Sequence, residues 1–190
     1  MASILPFDEL NNFTLKLRGM FPDGRLPPRE EAKEEEEDII DEMLDLFLLA
    51  YAQGNTVTNE NLSSNWQPTM DDAIETVDAE VAGKTWRVRV EEYFSSGGSV
   101  DDLIRIAETE SHRISNNAAL DTAKKAGAKT KTWNCMMLPT SRDTHVYLNG
   151  VTAPIDGEFY SFNGGSTQFP GQWGIAEEDV NCLCWLTFDK

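Results

Sequence analysis

Cysteine is scarce in this chain: three residues in 190, at positions 135, 182 and 184. An odd number, with two of them one residue apart, is no framework for a disulfide-stapled domain, so the three are expected as thiols or ligands. Long apolar runs are missing as well. No stretch of about 18 apolar residues is present to span a bilayer, and the opening Met-Ala-Ser-Ile-Leu-Pro-Phe-Asp-Glu lacks the basic and apolar regions of a secretion signal. The expectation is a chain that contacts no membrane and stays in the cytoplasm where it is made. Positive charge is also in short supply, with 16 Lys and Arg against 33 Asp and Glu, a net charge of -17. Such a balance repels nucleic-acid phosphate and argues against direct binding to it as the main task. No Gly-rich phosphate loop and no His-Glu-x-x-His helix occurs, and no serine or cysteine is evidently presented as a nucleophile.

The acid is spread along the chain. Residues 1–64 hold 14 acidic and 5 basic residues, and residues 65–190 hold 19 and 11. Hydrophobic residues make up 40% and charged residues 26%, a composition that folds and can bury one core or a small domain with a helical appendage.

Leu10, Phe13, Leu17 and Met20 recur at helical spacing, and Phe21-Pro-Asp-Gly-Arg-Leu-Pro-Pro then reads as a hinge or linker. Glu30 to Ala52 is the clearest helix. Its first turns are acidic, and Ile39, Ile40, Met43, Leu44, Phe47, Leu48 and Tyr51 make an apolar face that needs a partner. That partner is expected to be the chain's own core, with docking onto another subunit through Ile40, Leu44, Phe47 and Tyr51 as the alternative; Gly54 is expected to end the helix. Further helices are expected over Asp71–Val81, Trp86–Phe94 and Asp101–Lys125. The texture then changes: strands are expected over Lys131–Met137, at Glu158-Phe-Tyr, and over Asn181–Phe188, with a turn at Tyr147-Leu-Asn-Gly150. The fold class is therefore α+β, an N-terminal helical half followed by a small β-rich C-terminal unit, divided as 1–28 (segment and linker), 29–99 (helical region) and 100–190.

Arg142, Asp143 and His145 place a fixed cation, a carboxylate and an imidazole within four positions. This suits either a catalytic cluster, with proton transfer by His145 and charge stabilisation by Arg142, or a network that caps turns and ties the two halves together; the structural use is expected. Cys182 and Cys184 with His145, joined by Cys135, offer sulfur and nitrogen ligands for zinc, although Cys-x-Cys is an unusual spacing for structural zinc. Alternation along a strand would instead place both thiols on one face as core fillers. Glu110 and Arg113, three apart on a helix, are expected to pair and hold that helix against the last unit, Glu108 and His112 share a face, and Trp133 is expected as a core anchor.

Many of these residues stand in one order: Ala107-Glu-Thr-Glu-Ser-His-Arg113 with Asn116, Gly127, Lys131-Thr-Trp133, Arg142-Asp-Thr-His145, Leu148-Asn-Gly150, Pro154-Ile-Asp-Gly-Glu-Phe159, Phe169-Pro-Gly171 and Val180-Asn-Cys-Leu-Cys184. This run, over roughly residues 100–185, resembles the phage Mu protein F-like minor head proteins, also called head morphogenesis or minor capsid proteins. On that resemblance Glu108, Glu110, His112, Arg113, Trp133, Arg142, Asp143, His145, Gly150, Asn181, Cys182 and Cys184 are the motif residues. The chain departs from the family's pattern at Leu138-Pro-Thr-Ser141, where a carboxylate and a further arginine usually stand, and at Asn-Cys-Leu-Cys, where the family has Asn-Cys-Arg-Cys. The resemblance implies a low-copy structural protein of a tailed-phage head, without enzymatic activity. Its partners would be the portal and other head proteins, with packaged DNA nearby; it would act in head assembly, genome packaging or delivery, and reside in the virion after assembly in the host cytoplasm. Two alternatives stand beside it: a hydrolytic (nucleolytic included) or transferase enzyme using His145 and Arg142, and an acidic decoy for a nucleic-acid-binding host protein.

Overall fold

The structure is a computed structural model that describes residues 6–190; the first five residues, and the secretion-signal reading made partly on them, lie outside the described residues. Helix α1 (Phe7–Met20) buries Leu10, Phe13 and Leu17, the stripe its spacing announces. The segment that follows is no hinge. Phe21 and Leu26 are buried, and the backbone is pinned to the start of a later helix by Leu26 N–H to Gly98 O and Val100 N–H to Gly24 O, at 3.0 and 3.1 Å.

Helix α2 (Lys33–Leu62) begins with Glu34, Glu35 and Glu36, whose charge complements the positive end of the helix dipole. It does not stop at Gly54 but runs two further turns. The reason is tertiary: a Cβ at Gly54 would lie 2.3 Å from the carbonyl oxygen of Ser115, so glycine is present for the close approach of a second helix. Around that crossing Ser115 Oγ donates to Ala50 O at 2.8 Å and Asn55 Nδ2 to Thr122 Oγ1 at 2.9 Å. Of the face proposed for docking, Phe47 and Tyr51 are buried inside the chain, and Ile40 and Leu44 pack partly buried against the same cluster. The first two are thus unavailable to another subunit.

Helix α3 (Met70–Val77) starts at a capping box of Thr69 and Asp72, α4 (Trp86–Ser96) at Thr85, and α5 (Val100–Lys125) at a second capping box of Ser99 and Asp102. Gly97 closes α4 in the left-handed region, φ 71°. Helix α5 serves both halves. Its apolar residues from Val100 to Ala118, such as Leu103, Ile106 and Ile114, lie in the cluster formed with α1 to α4, while Leu120 belongs to the C-terminal cluster. The division expected at residue 100 therefore falls on a helix whose first turns are core of the helical half.

The chain is α+β as expected, its helical half followed by a C-terminal unit that holds the sheets. Strand β1 (Thr130–Asn134) is central in a three-stranded antiparallel sheet, between β2 (Thr152–Pro154) and β5 (Trp185–Asp189). Trp133 pairs with Leu186 and Lys131 with Phe188 and Ala153. By the two-residue period Lys131 and Trp133 both face inward. A second ribbon joins β3 (Phe159–Tyr160) to β4 (Ser166–Thr167). Two short helices, α6 (Asp143–Leu148) and α7 (Ala176–Asp179), complete the unit. Here the expectations ran long: Tyr147 and Leu148 end α6 and only Asn149-Gly150 turns, the first strand ends at Asn134, and the last begins at Trp185. Among the described residues no helix is long and apolar enough to cross a membrane.

Candidate functional site

Two polar clusters flank α5. The first is an ion pair deep in the fold. Arg113 Nε donates to Glu110 Oε2 at 2.6 Å, and Arg89 Nη1 of α4 donates to Glu110 Oε1 at the same distance. Arg113 Nη2 reaches the last carbonyls of α3, Thr76 O at 3.1 Å and Val77 O at 3.3 Å. The pairing of Glu110 with Arg113 is as expected, but its object is different: it locks α5 to α3 and α4 rather than to the last unit. The contact with the last unit is made by backbone. Gly171 (φ 89°) rides over Arg113, where a Cβ would come within 3.1 Å of the arginine Cα. Glu108 is exposed and His112 buried, so these two do not act together.

The second cluster is built on His145 in the first turns of α6. Its Nδ1 stands 3.4 Å from Cys184 Sγ and 3.6 Å from Cys182 Sγ. The ring is fixed on both sides by aromatics: it stacks on Trp173 (centroids 6.4 Å, planes 21° apart) and meets Trp133 edge-on (5.7 Å, 71°). Its other nitrogen, Nε2, lies 3.1 Å from Glu178 Oε2, a close contact whose angle falls short of an aligned hydrogen bond. Glu178 is itself oriented by Thr144 Oγ1 at 2.8 Å and Asn163 Nδ2 at 3.3 Å.

The two thiols do not reach His145 by strand alternation. They lie in the turn before β5, which Asn181 bends through the left-handed region (φ 56°), and Leu183 between them is exposed while Cys182 and Cys184 are buried. Asn116 of α5 holds this turn, its Nδ2 donating to Cys184 O at 3.3 Å. The S–H of Cys184, then the ring of His145, pulls the Cys182 thiol well below the usual thiol range, and the proton Cys184 donates to that sulfur pushes its own upward. Burial pushes the His112 imidazole, behind this turn, down from its ordinary value. Cys135 is buried nearby and lines, with Arg142, His145, Cys182 and Cys184, a cavity of about 40 Å³.

The trio expected from Arg142-Asp-Thr-His is taken apart. Arg142 Nη2 donates to the Val180 carbonyl and so tethers the cysteine turn, Asp143 is exposed, and His145 is buried. Arg142 and His145 nonetheless line the same small cavity at the cysteine turn, and Asp143 is not among its lining residues. Trp133 is fully buried among Phe159, Trp173 and His145, the anchor it was expected to be. Gly150 takes φ 81° and closes the turn between α6 and β2. Sequence reasoning missed Glu178, Thr144, Asn163 and Arg89. Glu178 stands in the run Glu177-Glu178-Asp179, which reads as a solvated acidic turn until the fold buries its second and third members. A separate open groove of about 1130 Å³ runs between α4, α5 and the loop at Gly171–Ala176; Arg29, Arg89, Arg105, Glu91, Glu92 and Glu110 are among its lining residues.

Part of the chain is similar to two proteins of known name. It is 32% identical over 85 residues, 43% of this chain, to the minor head protein GP7 of Bacillus phage SPP1. It is 34% identical over 90 residues, 45% of this chain, to NAD(+)--arginine ADP-ribosyltransferase EFV of Enterococcus faecalis. The matched segments span only 28% and 18% of those proteins. No family model matches the chain, and no solved structure matches it significantly. The similarity to a protein named as a transferase corrects the expectation that the chain has no enzymatic activity, since part of it is shared with a protein that bears an enzyme's name.

Proposed function

We propose that this chain is a minor structural protein of a tailed-phage head, associated with the portal and neighbouring head proteins, and acting in head assembly, genome packaging or genome delivery. The observation that supports this reading is the partial identity with a phage minor head protein, together with the ordered run of motif residues from Ala107 to Cys184. The structure gives those residues positioning work: Asn116 on α5 and Gly171 in the last loop fasten the C-terminal unit to the helical half, Arg142 tethers the cysteine turn within that unit, and Arg113 locks α5 to α3. Met136, Met137, Leu138 and Leu183 are exposed beside the cysteine turn, and this apolar rim, rather than the buried stripe of α2, is the surface offered to another head protein. The net charge of -17 suits a chain held apart from DNA and addressed to basic protein surface. Assembly would take place in the host cytoplasm and leave the chain in the virion. Quantitative mass spectrometry of purified particles tests this: a low, fixed copy number is expected, with density beside the portal in cryo-electron microscopy. Particles devoid of the chain overturn the reading.

The similarity to a named transferase favours a second reading, in which the chain acts on a small-molecule substrate. The groove between α4 and α5, lined by three arginines and several carboxylates, is of the size class that holds such ligands. Transfer of label from NAD+ to protein by the purified chain, lost on changing Arg89 or Arg105, would establish it; no transfer to any acceptor would dismiss it.

A further inference from the structure

Among the described residues, one set of histidine, cysteine and acidic groups brings its donor atoms together tightly enough for a metal: His145, Cys182 and Cys184, all buried, with donor atoms within 4.8 Å of one another. Tetrahedral zinc binds sulfur at about 2.3 Å and nitrogen at about 2.0–2.1 Å, which sets the S···N edge of the tetrahedron near about 3.5 Å. The two S···N distances measured are 3.4 and 3.6 Å, both to the same ring nitrogen. One ring nitrogen can share a hydrogen bond well with only one of the two sulfurs that converge on it, whereas a cation at the centre of the triangle gives all three atoms a partner.

We propose that Cys182, Cys184 and His145 form a zinc site, with His145 ligating through Nδ1. Both sulfurs bind as thiolates, the protons they carry passing to solvent, and two Zn–S bonds and one Zn–N bond form. The two thiolate charges cancel the dication, so the completed centre is neutral and can be buried at small cost. Glu178 faces the distal nitrogen of the ligating ring, and Thr144 and Asn163 hold the carboxylate, which is the outer-shell arrangement that fixes a metal-bound histidine. The fourth position opens on the cavity lined by Cys135, which either completes the set or leaves room for a water.

Thiol, imidazole and carboxylate in series also describe a nucleophilic cysteine and its base. Two features argue against that use. Both sulfurs address one nitrogen, where a nucleophile needs only one, and both are buried, at 4% and 2% exposure, where a substrate would have to reach them.

The test uses the full chain, purified reduced from zinc-supplemented cells, and does not depend on its role in a phage head. Elemental analysis is expected to give one zinc per chain. After removal of metal by a chelator, cobalt(II) is expected to bind at one equivalent, with the visible absorption of a tetrahedral centre and the near-ultraviolet band of cobalt–thiolate bonds. Cys182→Ser and Cys184→Ser should lose the thiolate band in step, and Glu178→Gln should retain it with affinity reduced about 10–100-fold. Zinc should also protect both thiols from iodoacetamide. A reduced wild-type chain, folded by its tryptophan fluorescence, that takes up neither zinc nor cobalt overturns the proposal. So does thiol alkylation at the same rate with and without zinc. Should the serine variants fail to fold, the wild-type titration alone decides.

Discussion

Between Phe7 and Ala118 the chain buries Phe13, Phe47, Trp86 and Phe94 with a full set of aliphatic side chains in one cluster around α2 and α5. Past Leu120 the second cluster is much smaller. Its strands are two to five residues long, and three of its buried groups are cysteines in contact with, or close to, an imidazole. The helical half can stand on apolar area and on backbone bonds satisfied within its helices. The C-terminal unit has little of either and is of the size at which small folds take on a staple. What the contrast teaches is where polar groups do structural duty: in the helical half one ion pair is set into an apolar core, whereas in the C-terminal unit the polar cluster is the core.

The change expected to break the helical half most severely is Glu110→Ala. Arg113 would then be left at 1% exposure with its charge uncompensated, and Arg89 would lose its partner across the α4–α5 contact. Removing one member of a buried pair costs about 3–5 kcal/mol. Thermal or urea unfolding should show that loss, and a loss under about 1 kcal/mol would mean that the pair is solvated. Gly54→Ala comes next. Alanine gains about 1 kcal/mol of helix propensity over glycine, but its Cβ would lie 2.3 Å from the Ser115 backbone oxygen, an atom that cannot swing aside. Overpacking of this kind costs about 1–3 kcal/mol, so the net sign is destabilising; a stabilised variant would show that α2 and α5 can separate freely.

In the C-terminal unit the corresponding weak point is Lys131. It is fully buried on β1, its ammonium has no hydrogen-bond partner, and the Phe159 ring lies 5.6 Å away. Burial pushes its pKa down from 10.5 to about 8. Below about pH 8 the lysine is protonated folded and unfolded, and the full penalty of burying the charge is present. Between about 8 and 10.5 the folded chain has released the proton and the unfolded chain has not, so stability should rise with pH across that window. Lys131→Met should be more stable at neutral pH by about 1–3 kcal/mol and flat across the same window. A variant with the wild-type slope would place the titration on another group.

The difference between the halves also governs what could be read from the sequence. Helical periodicity and capping residues such as Ser99 and Asp102 are local, so α1 and α3 to α5 were legible to within a few residues. Gly54 misled because its reason for being glycine lies on Ser115, 61 positions away in the chain. In the C-terminal unit the strands are too short for alternation to bound them, and of the sequence neighbours Arg142, Asp143 and His145 the fold keeps the first and last on one small cavity and leaves Asp143 exposed. The groups that do meet His145 are 12 to 39 residues from it, at Trp133, Trp173, Glu178, Cys182 and Cys184. The ligand chemistry of Cys182, Cys184 and His145 grouped those three, whereas nothing in the sequence pointed to Trp173 or Glu178.

The smallest expected effect makes that last point measurable. Asp143 is the first residue of α6 and is exposed, so its charge contributes through the helix dipole, about 0.3–1 kcal/mol at most and reduced by salt. Asp143→Ala should therefore lower stability by less than about 1 kcal/mol and leave the fluorescence of the buried Trp133 and Trp173 unchanged. Glu178→Ala removes the acceptor of both Thr144 and Asn163 and the group facing His145 Nε2. Stranding buried donors in this way costs about 1–3 kcal/mol, and the indoles that bracket the ring should report it. If Asp143→Ala instead disturbs the tryptophans and Glu178→Ala does not, His145 takes its partner from its own turn, and the carboxylate that orients the cysteine cluster has been misassigned.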